Sequence, residues 1–191
     1  MADQTLVLAG SLAEEQPPVA TAKRARALVL AHFDFVWRLL RRLGVPQAEL
    51  DDSAQRVFVI ATQRLEAILP ERERSFLYGT ALRVAAMVRR TNRRRQRWIV
   101  TRPADSPSLA PTPHEQVERR EALAFLDEVL EGLADELREV FVLCEIEELT
   151  VTEVASIQGI PVGTVGSRLR RARKEFDDRT RRLRLQLARK R

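Results

Sequence analysis

Residues 150–176 read TVTEVASIQGIPVGTVGSRLRRARKEF, a stretch that predicts two short helices joined by a tight turn. The first opens with a capping box, in which the Thr150 hydroxyl takes the amide of Glu153 and the Glu153 carboxylate reaches back. It stops at Gly159, the residue that most cheaply adopts the left-handed conformation after a helix end. Ile160 and Pro161 restart the chain. Val165, Leu169, Ala172 and Phe176 then recur at spacings of 4, 3 and 4, which is one buried helical stripe. Ala155, Gly159 and Val165 fall where a helix-turn-helix needs a small residue, a turn glycine and a core anchor.

The opposite face of the second helix carries Thr164, Ser167, Arg168, Arg170, Arg171 and Lys174. Short hydroxyls at the start with arginines behind them suit a helix whose N-terminal end enters the major groove. A solvated basic face on a helical hairpin is the plainer reading. Capping box, turn glycine, spacing and charge agree on DNA binding.

Outward from this stretch, 191 residues suit one large domain or two small ones. Hydrophobic content of 45% is enough for real cores, and only seven glycines with few β-branched runs argue against sheet. The expected fold class is all-α. A net charge of +6 and a pI near 10.5 favour a polyanionic partner. Residues 83–102 hold eight arginines and no acid; residues 115–153 balance to −10 and residues 154–191 to +9. Such segregation predicts separate surfaces with separate partners.

The single cysteine, Cys144, excludes an internal disulfide and suits a buried small hydrophobe. His32 and His114 stand alone without ligand-like spacing, so no metal and no cofactor is expected. There is no signal-peptide pattern at the start and no run of eighteen apolar residues, so a cytoplasmic, soluble protein without membrane insertion is expected.

Residues 1–20 lack a period and end at Pro17-Pro18, which predicts a disordered tail. A helix over 21–43 carries the stripe Val29, Phe33, Val36, Leu40 and Leu43, and Gly44 ends it. A second helix after Pro46 turns Leu50, Ala54, Val57, Ala61, Leu65 and Ile68 inward, leaving Asp51, Asp52, Gln55 and Phe58 outside or at the edge. That Phe is either the margin of the core or part of a docking surface. A third helix, 71–97, is apolar in its first half (Phe76, Leu77, Tyr78, Ala81, Val84, Ala85) and cationic in its second (Arg89, Arg90, Arg93, Arg94, Arg95, Arg97). Bundle packing followed by phosphate contact fits that division. Residues 99–114 contain four prolines and no apolar period, which predicts a flexible linker. Beyond it lie a helix with Leu123, Leu126, Leu130 and Leu133, broken near Gly132, and one from about 135 to 147 burying Leu137, Val140, Phe141 and Cys144. The helix-turn-helix completes this second unit.

The segment ALAFLDEVLEGLADELREVFVLCEIEELTVTEVASIQGIPVGTVGSRLRRAR resembles region 4 of bacterial sigma factors of the extracytoplasmic-function (ECF) subgroup of the sigma-70 family. The motifs are Arg138-Glu139-Val140-Phe141, Glu153-Val154-Ala155 and the run Gly163 to Arg173. LDDSAQRVF at 50–58 and SFLYGTALRVAAMVRR at 75–90 resemble regions 2.2 and 2.3–2.4. The resemblance covers about residues 22–185. It implies a region 2 bundle over 21–98, a linker over 99–114, a region 4 domain over 115–185 and a basic tail over 186–191. It implies no enzyme, but a subunit that binds core RNA polymerase and directs promoter recognition, melting and initiation. Asp51, Asp52, Gln55 and Phe58 match the positions that dock on the β′ clamp. Phe76, Tyr78, Arg83, Arg89, Arg90 and Arg93 match the surface that takes the single-stranded −10 element. Thr164, Ser167, Arg168, Arg170, Arg171 and Lys174 would read the double-stranded −35 element, with region 4 also touching the β flap. An anti-sigma factor is a further implied partner. The chain departs from the family pattern at Ser53, Arg56, Arg83, Met87 and Gly166, and the last removes a long side chain from the first turns of the reading helix. A conventional operator-binding regulator would need the helix-turn-helix alone. A nuclease-like metal pair at Asp51-Asp52 is disfavoured because adjacent helical residues point about 100° apart.

Overall fold

In the computed structural model, residues 19–98 and 114–189 are described, and they contain helices and turns but no strand. The expectations for the N-terminal tail and for most of the Pro-rich linker (99–113) lie outside the described residues, as does the extreme C-terminus (190–191). The N-terminal half packs α1 (Val19–Arg42), α2 (Leu50–Gln63) and α3 (Glu73–Trp98) against one another. All six residues expected to face inward from the second helix are buried, although α2 itself ends at Gln63 and a short 3-10 turn, Leu65–Ala67, carries the stripe onward. On α1 the expected stripe is only partly right. Val36, Leu40 and Leu43 are fully buried, together with Leu39, while Phe33 remains 39% exposed. The helix ends at Gly44, whose φ of +83° continues the chain where an L-residue would be strained.

The C-terminal half comprises α4 (His114–Glu131), α5 (Asp135–Phe141), α6 (Val151–Gln158) and α7 (Val162–Ala188). The helix expected to run on from α5 to residue 147 changes character: Val142–Ile146 is a π turn, followed by Glu148 at φ +58°. Cys144 in that turn is half-buried, and burial together with the neighbouring Glu145 pushes its thiol pKa up, away from reactivity. Phe141 stacks on Phe176, with ring centroids 4.4 Å apart, and ties α5 to α7.

The halves do not stand apart. Buried residues of both belong to one continuous apolar cluster, with α6 lying across α3 and α4 against the end of α1. Gly79 of α3 provides the close crossing: a Cβ there would stand 3.8 Å from the Ile157 side chain of α6. Among the described residues no helix is long and apolar enough to cross a membrane.

Candidate nucleic-acid interface

The turn motif is built as its residues dictate. The Thr150 hydroxyl accepts from the Glu153 amide at 3.3 Å, and the Glu153 carboxylate accepts from the Thr150 amide at 2.8 Å and from its hydroxyl at 2.7 Å. These hydrogen bonds hold the Glu153 carboxyl below its ordinary pKa. Gly159 caps α6 at φ +67°, and Pro161 precedes the first residue of α7. Val165, Leu169 and Ala172 are buried, with Phe176 half-buried behind them. Their burial turns Ser167, Arg170, Arg171 and Lys174 to solvent and leaves Thr164 and Arg168 half-exposed on the same side. Ser167 donates to the Thr164 carbonyl, and Arg171 pairs with Glu175 at 2.9 Å. Gly163 and Gly166 have open space where a Cβ would stand. The result is a smooth helix tip with basic groups ranked behind it.

On α2 the three polar candidates are exposed: Asp51, Asp52 and Gln55. Asp51 accepts from the Trp37 indole at 2.9 Å, which orients it, and Asp52 points outward. Phe58 is not exposed. It is 5% accessible and stacked on Phe33 at 6.2 Å, so it backs the surface from beneath while Phe33 supplies the accessible apolar edge. No group of three or more acidic, His or Cys side chains able to hold a metal occurs among the described residues.

The α3 candidates are in mixed circumstances. Arg83 and Arg90 are exposed and Phe76 is half-buried. Tyr78 is 1% accessible, its ring edge-on to Phe35 at 5.0 Å. Its hydroxyl donates to Glu147 at 3.2 Å and accepts from Arg74 at 3.2 Å. Burial, then the Glu147 charge, push the phenol up to about 12. Arg89 is 7% accessible; it donates to Glu139 at 2.5 Å and to the Leu43 carbonyl, and its Nε lies 3.2 Å from Asp135. Arg93 is itself exposed but paired with Asp135. The charge segregation therefore does not give separate faces. The acidic segment lies against the arginine-rich helix.

Four residues that sequence reasoning gave no role organise this contact: Arg42, Asp135, Arg138 and Glu147. Glu147 also pairs with Arg42 at 2.8 Å. Arg138, 6% accessible, donates to the carbonyls of Leu130 and Glu131, each at 2.7 Å, and to that of Leu43 at 3.4 Å. Burial and the neighbouring Arg89 pull its pKa down. It fills the space over Gly44 that any Cβ would invade. Arg41–Asp127, at 2.6 Å, completes the polar seam between the halves. Only the clustering of acids in 115–153 hinted at it.

A helix-turn-helix on a helical body beside a second, arginine-rich helical bundle is an arrangement that DNA-binding proteins use. The family model for sigma-70 region 4 matches residues 126–176. The chain is 31% identical over 154 residues to the RNA polymerase sigma factor CnrH of Cupriavidus metallidurans, covering 76% of this chain and 81% of that one. It is 32% identical over 119 residues to the ferric citrate uptake sigma factor FecI of Escherichia coli, covering 61% and 68%. A third relative is the ECF RNA polymerase sigma factor SigE of Mycolicibacterium smegmatis, 30% identical over 152 residues; 79% of this chain matches, but only 59% of SigE's length. A solved structure of CnrH in complex with the cytosolic domain of CnrY superimposes with a TM-score of 0.61 at 25% identity, covering 82% of this chain and 87% of that chain. The sigma factor RpoE of Bartonella quintana, solved in complex with the anti-sigma factor NepR, shares the fold, with a TM-score of 0.61 at 17% identity over 83% of this chain and 98% of that one. The chain belongs to the ECF subgroup of the bacterial sigma-70 family.

Proposed function

We propose that this sigma factor binds core RNA polymerase through the exposed α2 face of Asp51, Asp52 and Gln55, with the Phe33–Phe58 stack behind it. Residues 21–98 act as region 2 and residues 115–185 as region 4. The N-terminal turns of α7 read the duplex −35 element. The α3 surface takes the melted −10 strand, with Arg83, Arg90 and Arg93 on phosphates and the Phe76–Tyr78 region against a base. The observation that supports this most directly is the built turn motif, whose capped α6 and glycine turn present a smooth, basic-backed helix end. An anti-sigma factor is a further partner, by analogy with RpoE, whose chain shares this fold and was solved in complex with the anti-sigma factor NepR.

The test is reconstituted run-off transcription with core polymerase on promoter fragments, beside a pull-down of core. Asp52→Arg with Gln55→Ala should abolish core association at unchanged helical content. Undiminished association rejects the α2 surface. Operator binding without any core association would instead support a conventional regulator.

A further inference from the structure

We propose that the cleft where α1, α3, α4 and α5 meet binds a small phosphate compound, free phosphate or a phosphomonoester, on a floor made by Arg89 and Arg138. The promoter and polymerase surfaces leave this cleft without a role, so the inference goes beyond the sigma reading.

The cleft has a volume of about 940 Å³ and is walled by both halves. That is the size of a small-molecule site rather than of a single water. Five arginines line it: Arg41, Arg42, Arg89, Arg93 and Arg138. They divide by depth. Arg41 and Arg93 stand nearer the mouth, already paired with Asp127 and Asp135. Arg42 is taken by Glu147, which lies outside the lining. Arg89 and Arg138 are at the bottom, only 7% and 6% exposed.

The floor is short of acceptors. Both guanidinium groups donate to one oxygen, the Leu43 carbonyl, Arg138 from 3.4 Å. The other partners of Arg138 are the carbonyls of Leu130 and Glu131. An arginine presents five N–H donors, and these three bonds leave two without an acceptor among the described residues. On Arg89 the orphan is Nε, which is buried and makes no hydrogen bond, although Asp135 Oδ2 lies 3.2 Å from it. Buried donors are costly to leave unmade, and two cations side by side away from water repel. A phosphate group between them answers both demands, because its oxygens match the guanidinium fork and its charge cancels the repulsion. Gly44 makes room for this floor: a Cβ there would fall 1.8 Å from Arg138 Nη1.

The rest of the lining suits an organic phosphate. Val45, Leu130 and Leu133 are buried and give a dry wall beside the floor. Glu131 and Glu136 also line the cleft, but both are exposed. Water and salt screen their charge far more than that of the buried arginines.

Isothermal titration of the full chain with sodium phosphate, AMP and adenosine reads the site without polymerase or DNA. Sodium chloride at matched ionic strength is the control. Phosphate and AMP should each bind once per chain, with a dissociation constant below about 1 mM; adenosine and chloride should not bind. Tighter binding of AMP than of phosphate means that the dry wall holds the organic part, and the reverse order makes the free anion the ligand. Asp135→Asn removes the carboxylate beside Arg89 Nε and should tighten both by about three- to tenfold. Ala134→Trp, at an exposed lining position, puts an indole into the mouth with every arginine retained and should abolish binding.

No binding of phosphate or AMP below about 10 mM overturns the proposal. So does weak, multiple binding that Ala134→Trp leaves intact, which is ordinary attraction to the basic helices. Should circular dichroism show Ala134→Trp unfolded, Asp135→Asn decides alone, and unchanged or weaker binding there rejects the site. A chain that supports run-off transcription but binds neither probe loses only this site. One that binds both but supports no run-off loses only the sigma reading.

Discussion

The two arginine-bearing helices, α3 and α7, have similar side chains in opposite circumstances. On α7 the face of Thr164, Ser167, Arg168, Arg170, Arg171 and Lys174 is open, and the Arg171–Glu175 ion pair on it comes from one turn away on the same helix. On α3, Arg89 and Arg93 are met by carboxylates more than 40 residues distant. An i,i+4 pair on an exposed helix contributes only a few tenths of a kcal/mol, so nothing prevents DNA from displacing it. The α3 pairs are integrated with buried carbonyl bonds and an apolar crossing, and they belong to the packing of the halves. Basic composition therefore says that a helix can hold phosphate; what packs against it says when.

Five substitutions sharpen that contrast. The largest effect should come from Arg138→Ala, which strips hydrogen bonds from the carbonyls of Leu130, Glu131 and Leu43 and leaves a cavity at the seam. A loss of about 2–4 kcal/mol is expected in urea unfolding, because buried acceptors left unsatisfied cost about 1–3 kcal/mol each and water recovers part. A loss under half that value would mean that the seam is already wet.

Next, Arg168→Ala should cost about 1–3 kcal/mol of upstream-element affinity and relax one base preference, whereas Arg171→Ala should weaken all sequences alike. Selection from a randomised upstream element decides this. An unchanged preference for Arg168→Ala with an altered one for Arg171→Ala would move the reading face along the helix.

Thr150→Ala should remove about 1 kcal/mol through loss of the N-cap. Because the Glu153 carboxyl is held below its ordinary pKa, its contribution is present above the unfolded value and is lost as pH falls through the lowered folded one. The gap between wild type and Thr150→Ala should thus narrow in acid without closing, because the bond from the Glu153 amide to the Thr150 hydroxyl does not titrate, as thermal melts at falling pH would show. The smallest change should follow Gly166→Lys, at a position where a Cβ would meet no atom within 4 Å. Relief of an interior glycine contributes about 0.5–1 kcal/mol, and general duplex affinity should rise modestly in the same binding assay; a fall would mean that the DNA backbone approaches Gly166 too closely for a side chain.

These contrasts also explain how much the sequence could disclose. The capping box, Gly159 and the Val165–Phe176 stripe are local, each set by residues within a few positions, and all formed as expected. The α2 stripe was legible for the same reason. Phe58 was ambiguous because its burial depends on Phe33 from another helix. Tyr78 belonged to the apolar half of the third helix and, by resemblance only, to the strand-binding surface, while Arg89 belonged to its cationic half; both are interior, with α5 and the π turn lying over them. The stripe Tyr78, Ala81, Ala85 and Val88 marks the Tyr78 ring as inward, but nothing in α3 encodes the carboxylates that meet the Tyr78 hydroxyl and Arg89. The acids of 115–153 were visible as charge, but charge carries no direction until the fold places it.

The length of α7 has a consequence of its own. From Val162 to Ala188 it is one unbroken helix of 27 residues, a rod of about 40 Å at 1.5 Å per residue. Arg184 lies over the Phe125 ring near its far end, and Arg179 occupies the space beside Gly132. The proposed reading tip and the shaft packed against α4 belong to one unbroken helix. The C-terminal half therefore has no wrist. One added base pair between the two promoter elements displaces the upstream element by about 3.4 Å along the axis and rotates it, and this rod cannot swivel to follow. Tolerance of promoter spacing must come from the join between the halves or from the DNA itself.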